Sequence, residues 1–187
     1  MNSNRRRFLT TSSLALAGAT LDLSPLFAQT ATPGQAAPAA PQTAFVPLRR
    51  TVGIFTGQGG TIGYHISKDG SFVVDAQMPA TARICLDGIR ERIGGGLIDV
   101  LVNTHHHGDH TGGNPVFKAS VKKILAHANV PELQRAAAAR QAAARPDAPA
   151  PEIVVANATF VNAWEEDIGS ERMALKYYGA AHTSGDA

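Results

Sequence analysis

The chain has 187 residues, 44% of them hydrophobic and 17% charged, an ordinary globular balance with enough length for one cored domain, which excludes collagen, coiled coil and wholesale disorder. A formal charge of +2 is too small to imply a nucleic-acid partner, the more so because Arg5, Arg6 and Arg7 lie in a segment read below as removable. The one cysteine, Cys85, rules out an intramolecular disulfide.

Arg5-Arg6-Arg7-Phe8-Leu9 leads a weakly apolar stretch, Leu14 to Leu26, that ends at Leu26-Phe27-Ala28. Residues 1–28 resemble a twin-arginine export signal, which implies a periplasmic protein carried across already folded and able to load metal beforehand. Asp22 and several Ser and Thr make the stretch too polar and too short for a stable membrane span. An uncleaved anchor and a chance basic terminus are the competing readings. Residues 29–47, rich in Ala, Pro, Gln and Thr and interrupted by Pro33, Pro38, Pro41 and Pro47, read as a flexible tether, which leaves 48–187 as the domain.

Within the domain, Leu48 to Phe55 and Thr61 to Ser67 read as strands flanking Gly57-Gln58-Gly59-Gly60, and a turn at Lys68-Asp69-Gly70 leads to a third strand, Ser71 to Asp75. The glycine loop does not open a helix and so is no phosphate cradle. It reads either as a mobile flap or as a plain hairpin turn. A helix from Thr81 to Ile93 follows, with Ile84, Cys85, Ile89 and Ile93 at helical spacing, and stops at Gly94-Gly95-Gly96. Cys85 reads there as a small core residue rather than a ligand or nucleophile. The apolar strand Ile98 to Val102 completes a strand-helix-strand unit, which implies a parallel crossover and places the next loop at the sheet's carboxyl edge. Then come a strand over Lys123 to Ala126, a helix from Pro131 through Leu133 to Arg145, a proline-rich loop to Pro151, and two strands over Thr159 to Glu165 and Arg172 to Tyr178.

The loop at that edge is His105-His106-His107-Gly108-Asp109-His110. Residues two apart in extended chain project to one side, so His105 and His107 can hold one ion, and Gly108 lets the chain turn and aim Asp109 and His110 at a neighbouring position. Imidazole and carboxylate together suit zinc, and also manganese or iron, better than magnesium or calcium. The bland reading, a histidine-rich surface loop, accounts for neither the embedded Asp109 nor the preceding buried-type strand.

The string Asn103-Thr104-His105-His106-His107-Gly108-Asp109-His110-Thr111-Gly112-Gly113-Asn114 resembles the H-x-H-x-D-H signature of the metallo-β-lactamase superfamily. A second motif of that family, G-x-x-H-T-x-G, is matched by Gly179-Ala180-Ala181-His182-Thr183-Ser184-Gly185. The resemblance implies an α/β fold, the αββα sandwich, with mainly its N-terminal half present. It implies a first metal site of His105, His107 and His182, with Asp109 and His110 contributing to a second, two zinc ions in the complete fold, and iron or manganese as alternatives. His106 points away from the ions in this reading. Asp75 resembles the family's early aspartate and either orients a ligand histidine or simply caps its strand. His127 reads as a surface or supporting histidine rather than a ligand, and His65 as a packed or edge side chain.

The family's second half supplies a bridging Asp or Cys and a last histidine that have no counterpart here. Asp186 lies too close to His182 to serve as the bridge. The chain therefore reads as a C-terminally truncated fragment with an exposed apolar sheet face, expected to fold poorly and to be weakly active at best. The activity that the resemblance implies is hydrolysis of a small amide, lactone, ester or thioester by a zinc-bound hydroxide that Asp109 orients as the catalytic carboxylate. A mononuclear-iron persulfide dioxygenase-like oxidoreductase and a non-catalytic zinc-binding accessory protein are the alternatives. The expected partner is a small-molecule substrate, not nucleic acid.

Overall fold

The computed structural model describes residues 41–187; the export signal read over 1–28 and the tether up to residue 40 lie outside the described residues. The chain runs β1 (Ala44–Arg49), β2 (Val52–Thr56), β3 (Ile62–Ile66), β4 (Ser71–Val74), α1 (Pro79–Arg92), β5 (Ile98–Asn103), α2 (Gly108–Thr111), α3 (Asn114–Phe117), β6 (Val121–His127), α4 (Val130–Ala144), β7 (Ala158–Phe160), β8 (Ala163–Ile168) and β9 (Glu171–Lys176). Among the described residues no helix is long and apolar enough to cross a membrane.

Strands β1 to β7 form one seven-stranded sheet in chain order. The pairs from β1 to β4 are antiparallel, and those from β4 to β7 are parallel. Because β4, β5 and β6 run the same way, their carboxyl ends share one edge, the place where layered α/β folds collect ligand sites. Pairing puts Val73, Leu101 and Ile124 in one row, and Val74, Val102 and Leu125 in the next. Alternate side chains leave opposite faces of a pleated sheet, so the two rows serve two cores.

The first core lies under the helices. In α1 the buried positions Ala82, Cys85, Leu86 and Ile89 fall on one stripe and pack with Val73, Leu101 and Ile124 of the sheet. Pro79 opens this helix, and Arg90 and Arg92 lie in its last turn, where cations favour the carbonyl end of the helix dipole. Burial pushes the Cys85 thiol up to about 12, against the opposing pull of Arg92. That is a core cysteine with no thiolate to offer.

The second core corrects the expectation of a bare apolar face. The β8-β9 hairpin, a separate two-stranded sheet, brings Ile168 and Met173 against Val100, Val102, Leu125 and Phe160. Val100, Val102 and Leu125 are at most 1% exposed, each burial contributing about 1.5–3 kcal/mol. The face is more open toward β1 and β2, where Val46 is 39% and Val52 41% exposed. The stretch Ala163–Lys176 thus supplies a partial second layer that the local pattern could not reveal.

Two further departures are local. The strand expected over Leu48 to Phe55 is a hairpin, because Arg50 takes a left-handed φ of 52° and reverses the chain. Its first arm begins at Ala44, within the stretch read as tether, where Phe45 packs on Phe55 at 4.8 Å between ring centroids and under the Arg92 guanidinium. Pro47 is tolerated there because β1 is an edge strand. The strand expected over Thr159 to Glu165 is likewise split between β7 and β8, which belong to different sheets.

Candidate metal centre

The histidine loop leaves the sheet at the end of β5 and is tied to its surroundings by main-chain and amide groups. Asn103 and Asn114, both fully buried, pair through two reciprocal carboxamide hydrogen bonds of 3.0 and 2.8 Å, and Asn114 also donates to the Val154 carbonyl. Gly113 lets the loop approach the end of β4 closely: a Cβ built there would stand 2.0 Å from the Ala76 carbonyl oxygen. Gly113 N–H donates to the Gln77 carbonyl at 2.8 Å, and Ala76 N–H donates to that of His110 at 2.7 Å.

Within this frame His105 Nε2 lies 3.2 Å from His107 Nδ1, and His182 Nε2 lies 3.1 Å from the same atom. The three rings offer one nitrogen each, all within 4.8 Å of one another. Ligands about 2.0–2.1 Å from a tetrahedral zinc stand about 3.3–3.4 Å apart, so the spacing suits one shared ion. Burial and the neighbouring His110 push His105 below the usual histidine value, while Asp75 pulls the other way. The net effect favours the neutral ring, the form a metal ligand takes. Its other nitrogen, Nδ1, lies 3.1 Å from Thr104 Oγ1, which fixes the ring's orientation.

Asp75 organises the second half of the loop. Held at φ 67°, its carboxylate accepts hydrogen bonds from Thr104 N–H at 2.8 Å and Thr104 Oγ1 at 2.8 Å, and lies 2.7 Å from His110 Nδ1. It therefore orients a histidine, as one of the two sequence readings expected. That contact, helped by the charges of Asp75 and Asp109 and opposed by burial, raises His110 above its usual range. His110 Nε2 lies 3.5 Å from Asp109 Oδ2. Asp109 and His110 are thus adjacent, yet among the described residues they do not join a third ligand. The glycine loop sits against them: Gly60 N–H donates to the Asp109 carbonyl, and Thr81 Oγ1 donates to the Gln58 carbonyl. Of its two readings, these tethers favour the fixed turn.

In metal-free protein, Asp75→Asn is expected to bring the His110 pKa down toward its ordinary value, as followed by NMR titration of the imidazole. The sign for stability follows from linkage. A raised folded-state pKa gives stabilisation that is complete below the unfolded pKa and is lost as pH rises through the folded one. The variant should therefore lose most stability on the acid side of that window, and equal His110 titrations in both proteins would sink the assignment.

His182 stands on a turn of its own. Asp186 accepts from Thr183 N–H at 2.7 Å and from Thr183 Oγ1 at 2.5 Å. Asn129 Nδ2 donates to the Ser184 carbonyl at 2.6 Å, and Ala187 N–H donates to that of Thr104 at 3.0 Å. Burial works against ionisation of Asp186, and the Thr183 hydrogen bonds override it, holding the carboxyl below its usual range.

The remaining histidines stand apart from the three converging nitrogens. His106 turns away and lines a cavity of about 570 Å³ together with Gln134 and Ile153; none of the five expected ligands lines it. His127 is not a surface side chain: it is 3% exposed and stacks on Tyr177 at 4.0 Å between centroids. His65 is packed, stacked on Phe72 with Nδ1 3.0 Å from Thr51 Oγ1. Sequence reasoning assigned no role to Thr104, Asn103 or Asn114, although all three stand inside the motif it quoted. For Asn129 and Tyr177 there was no local signal, since their partners lie far along the chain.

The profile described as the metallo-beta-lactamase superfamily matches residues 58–187. No curated protein matches the chain. Among solved structures, the chain is similar to MEM-A1, a subclass B3 metallo-beta-lactamase from a soil metagenome library, at 20% identity and TM-score 0.61, over 78% of this chain and 56% of that one. It is similar to the sec-alkylsulfatase Pisa1 from Pseudomonas sp. at 16% identity and TM-score 0.61, over 77% of this chain and 28% of the other. A metallo-beta-lactamase from Pontibacter korlensis matches at 19% identity and TM-score 0.58, over 78% of this chain and 65% of that one. The chain thus spans less than two thirds of the length of each, and at such identities the likeness is one of fold.

Proposed function

The chain belongs to the metallo-beta-lactamase superfamily, and from that premise we propose that the protein is an exported, zinc-dependent hydrolase of a small amide, lactone, ester or thioester. The observation that carries the reading is the convergence of His105 Nε2, His107 Nδ1 and His182 Nε2 from two distant segments. Three imidazoles of this kind would suit zinc, with His105, His107 and His182 as the residues that would hold it. When bound, zinc supplies a water activated near neutral pH and a Lewis acid for the carbonyl under attack.

The chain's own groups do the rest. Thr104 and Asp75 hold the His105 and His110 rings at their Nδ1 atoms, so the Nε2 atoms face the site. Asp109, half-exposed and next to His110, presents a carboxylate that can accept the proton of an attacking water at Oδ2. Asp109 and His110 form part of a second metal position in this reading. Export rests on the residues 1–28 resemblance to a twin-arginine signal and makes the periplasm the expected compartment.

The test is a titration of metal-free protein with zinc, followed by assay of the loaded protein on a chromogenic cephalosporin, an aryl lactone, an aryl ester and a glutathione thioester. One tightly bound zinc and turnover of one bond class are expected. Zinc binding without turnover of any of the four would reduce the reading to a zinc-binding protein, and absence of binding would remove it.

A further inference from the structure

We infer that Asp186 is a positioning residue for His182: its carboxylate locks the turn that stands the His182 ring against His107, without itself being a ligand. His182 is exposed, and its ring is held by no burial. An exposed imidazole keeps one rotamer and one location only if the backbone beneath it is fixed. Here the fixing is local and carboxylate-centred.

Both Asp186 oxygens face Thr183, the residue after His182, one accepting its N–H and the other its hydroxyl. The same hydroxyl accepts from Gly185 N–H at 3.1 Å, and Ala181 N–H donates to the Thr183 carbonyl at 2.9 Å. Residues on both sides of His182 are therefore cross-linked through Thr183. The turn is then docked as a unit: Asn129 and Tyr177 both donate to the Ser184 carbonyl, and Ala187 N–H reaches the carbonyl of Thr104, the residue before His105. Asp186 thus fastens Thr183 to the segment whose Ala187 N–H reaches Thr104, and this tie stands beside the direct contact of His182 with His107. It is not one of the residues whose ligand atoms converge.

The inference rests on the metal-centre reading for its functional consequence, though not for the positioning itself, and the experiment separates the two. In metal-free full chain, the NOE between the ring protons of His182 and His105, whose centroids are 5.0 Å apart, is expected in the wild type. It should be lost in Asp186→Ala, weakened in Thr183→Val and retained in Asp186→Asn, because Asn keeps one acceptor for the Thr183 N–H and a donor for its hydroxyl. Zinc affinity, measured by chelator competition, is expected to fall about 10- to 100-fold in Asp186→Ala and to stay within about threefold in Asp186→Asn.

Rescue by Asn is the outcome a directly ligating carboxylate would not give. An equal loss in Asp186→Asn and Asp186→Ala overturns the positioning role in favour of ligation or charge. An unchanged NOE and affinity in both Asp186→Ala and Thr183→Val overturns it outright. A wild type that shows the NOE and binds no zinc leaves the positioning intact and sinks the metal-centre reading instead.

Discussion

His107→Ala is expected to weaken zinc binding by about two to three orders of magnitude and, on the proposed function, to abolish hydrolysis. The magnitude comes from about 10–16 kcal/mol for a four-ligand zinc site, or about 2.5–4 kcal/mol per ligand, at about 1.4 kcal/mol per tenfold. His107 is the choice because its Nδ1 is the atom both other rings approach, at 3.2 and 3.1 Å. Removing it takes away the nitrogen that His105 and His182 both approach, whereas His106→Ala, one residue away, takes out a ring that lines a separate cavity. Isothermal titration of both variants checks this. Equal zinc affinity in the two would mean that the histidines act as a surface cluster and not as a ligand set.

Gly113→Ala should be the most disruptive single methyl in the loop. Its Cβ would stand 2.0 Å from the Ala76 carbonyl oxygen and 2.5 Å from Ala82 Cβ, and both neighbours are fully buried. Backbone is what it meets, so no side-chain rotation relieves the clash. Overpacking of a rigid core costs about 1–3 kcal/mol and more where backbone must shift; at least about 3 kcal/mol is expected here. For a domain of this size that is a fall of about 6–12 °C in Tm. Gly108→Ala is the control, because nothing lies within 4 Å of its Cβ position and its backbone is not left-handed. Calorimetry giving similar Tm values for the two would show that the loop is not pressed against the end of β4. The variant should also loosen the site, since the Ala76 N–H that the clash would push aside donates to the His110 carbonyl.

Much of this was legible along the chain because it is written in local pattern. The apolar run before the triplet made β5 and put the loop at the sheet edge, and H-x-H spacing in extended chain gave the pairing of His105 with His107. Helix α1 was readable from its stripe and its glycine stop. Where a residue's role depends on one neighbour far along the chain, the pattern was silent. Asn129 reaches Ser184 across 55 positions and Asn114 reaches Val154 across 40, and neither contact leaves a trace in its own neighbourhood. The short helices α2 and α3, four residues each, fell below any periodic signal. Arg50 reverses the chain without a glycine, so the first hairpin read as one strand.

By itself, then, the sequence determined the kinds of chemistry available: imidazoles and a carboxylate at ligand spacing, a family signature, one core cysteine and a parallel strand-helix-strand unit to carry them. Only the tertiary structure decided which nitrogens meet, that Asp75 grips His110 while Thr104 grips His105, that Asp186 serves the turn beside it, and that β8-β9 folds back over the sheet. The physical reason is that spacing along a strand or helix fixes the direction of a side chain within a few residues. Convergence of groups 75 positions apart, as with His107 and His182, is set by the packing of whole elements against one another.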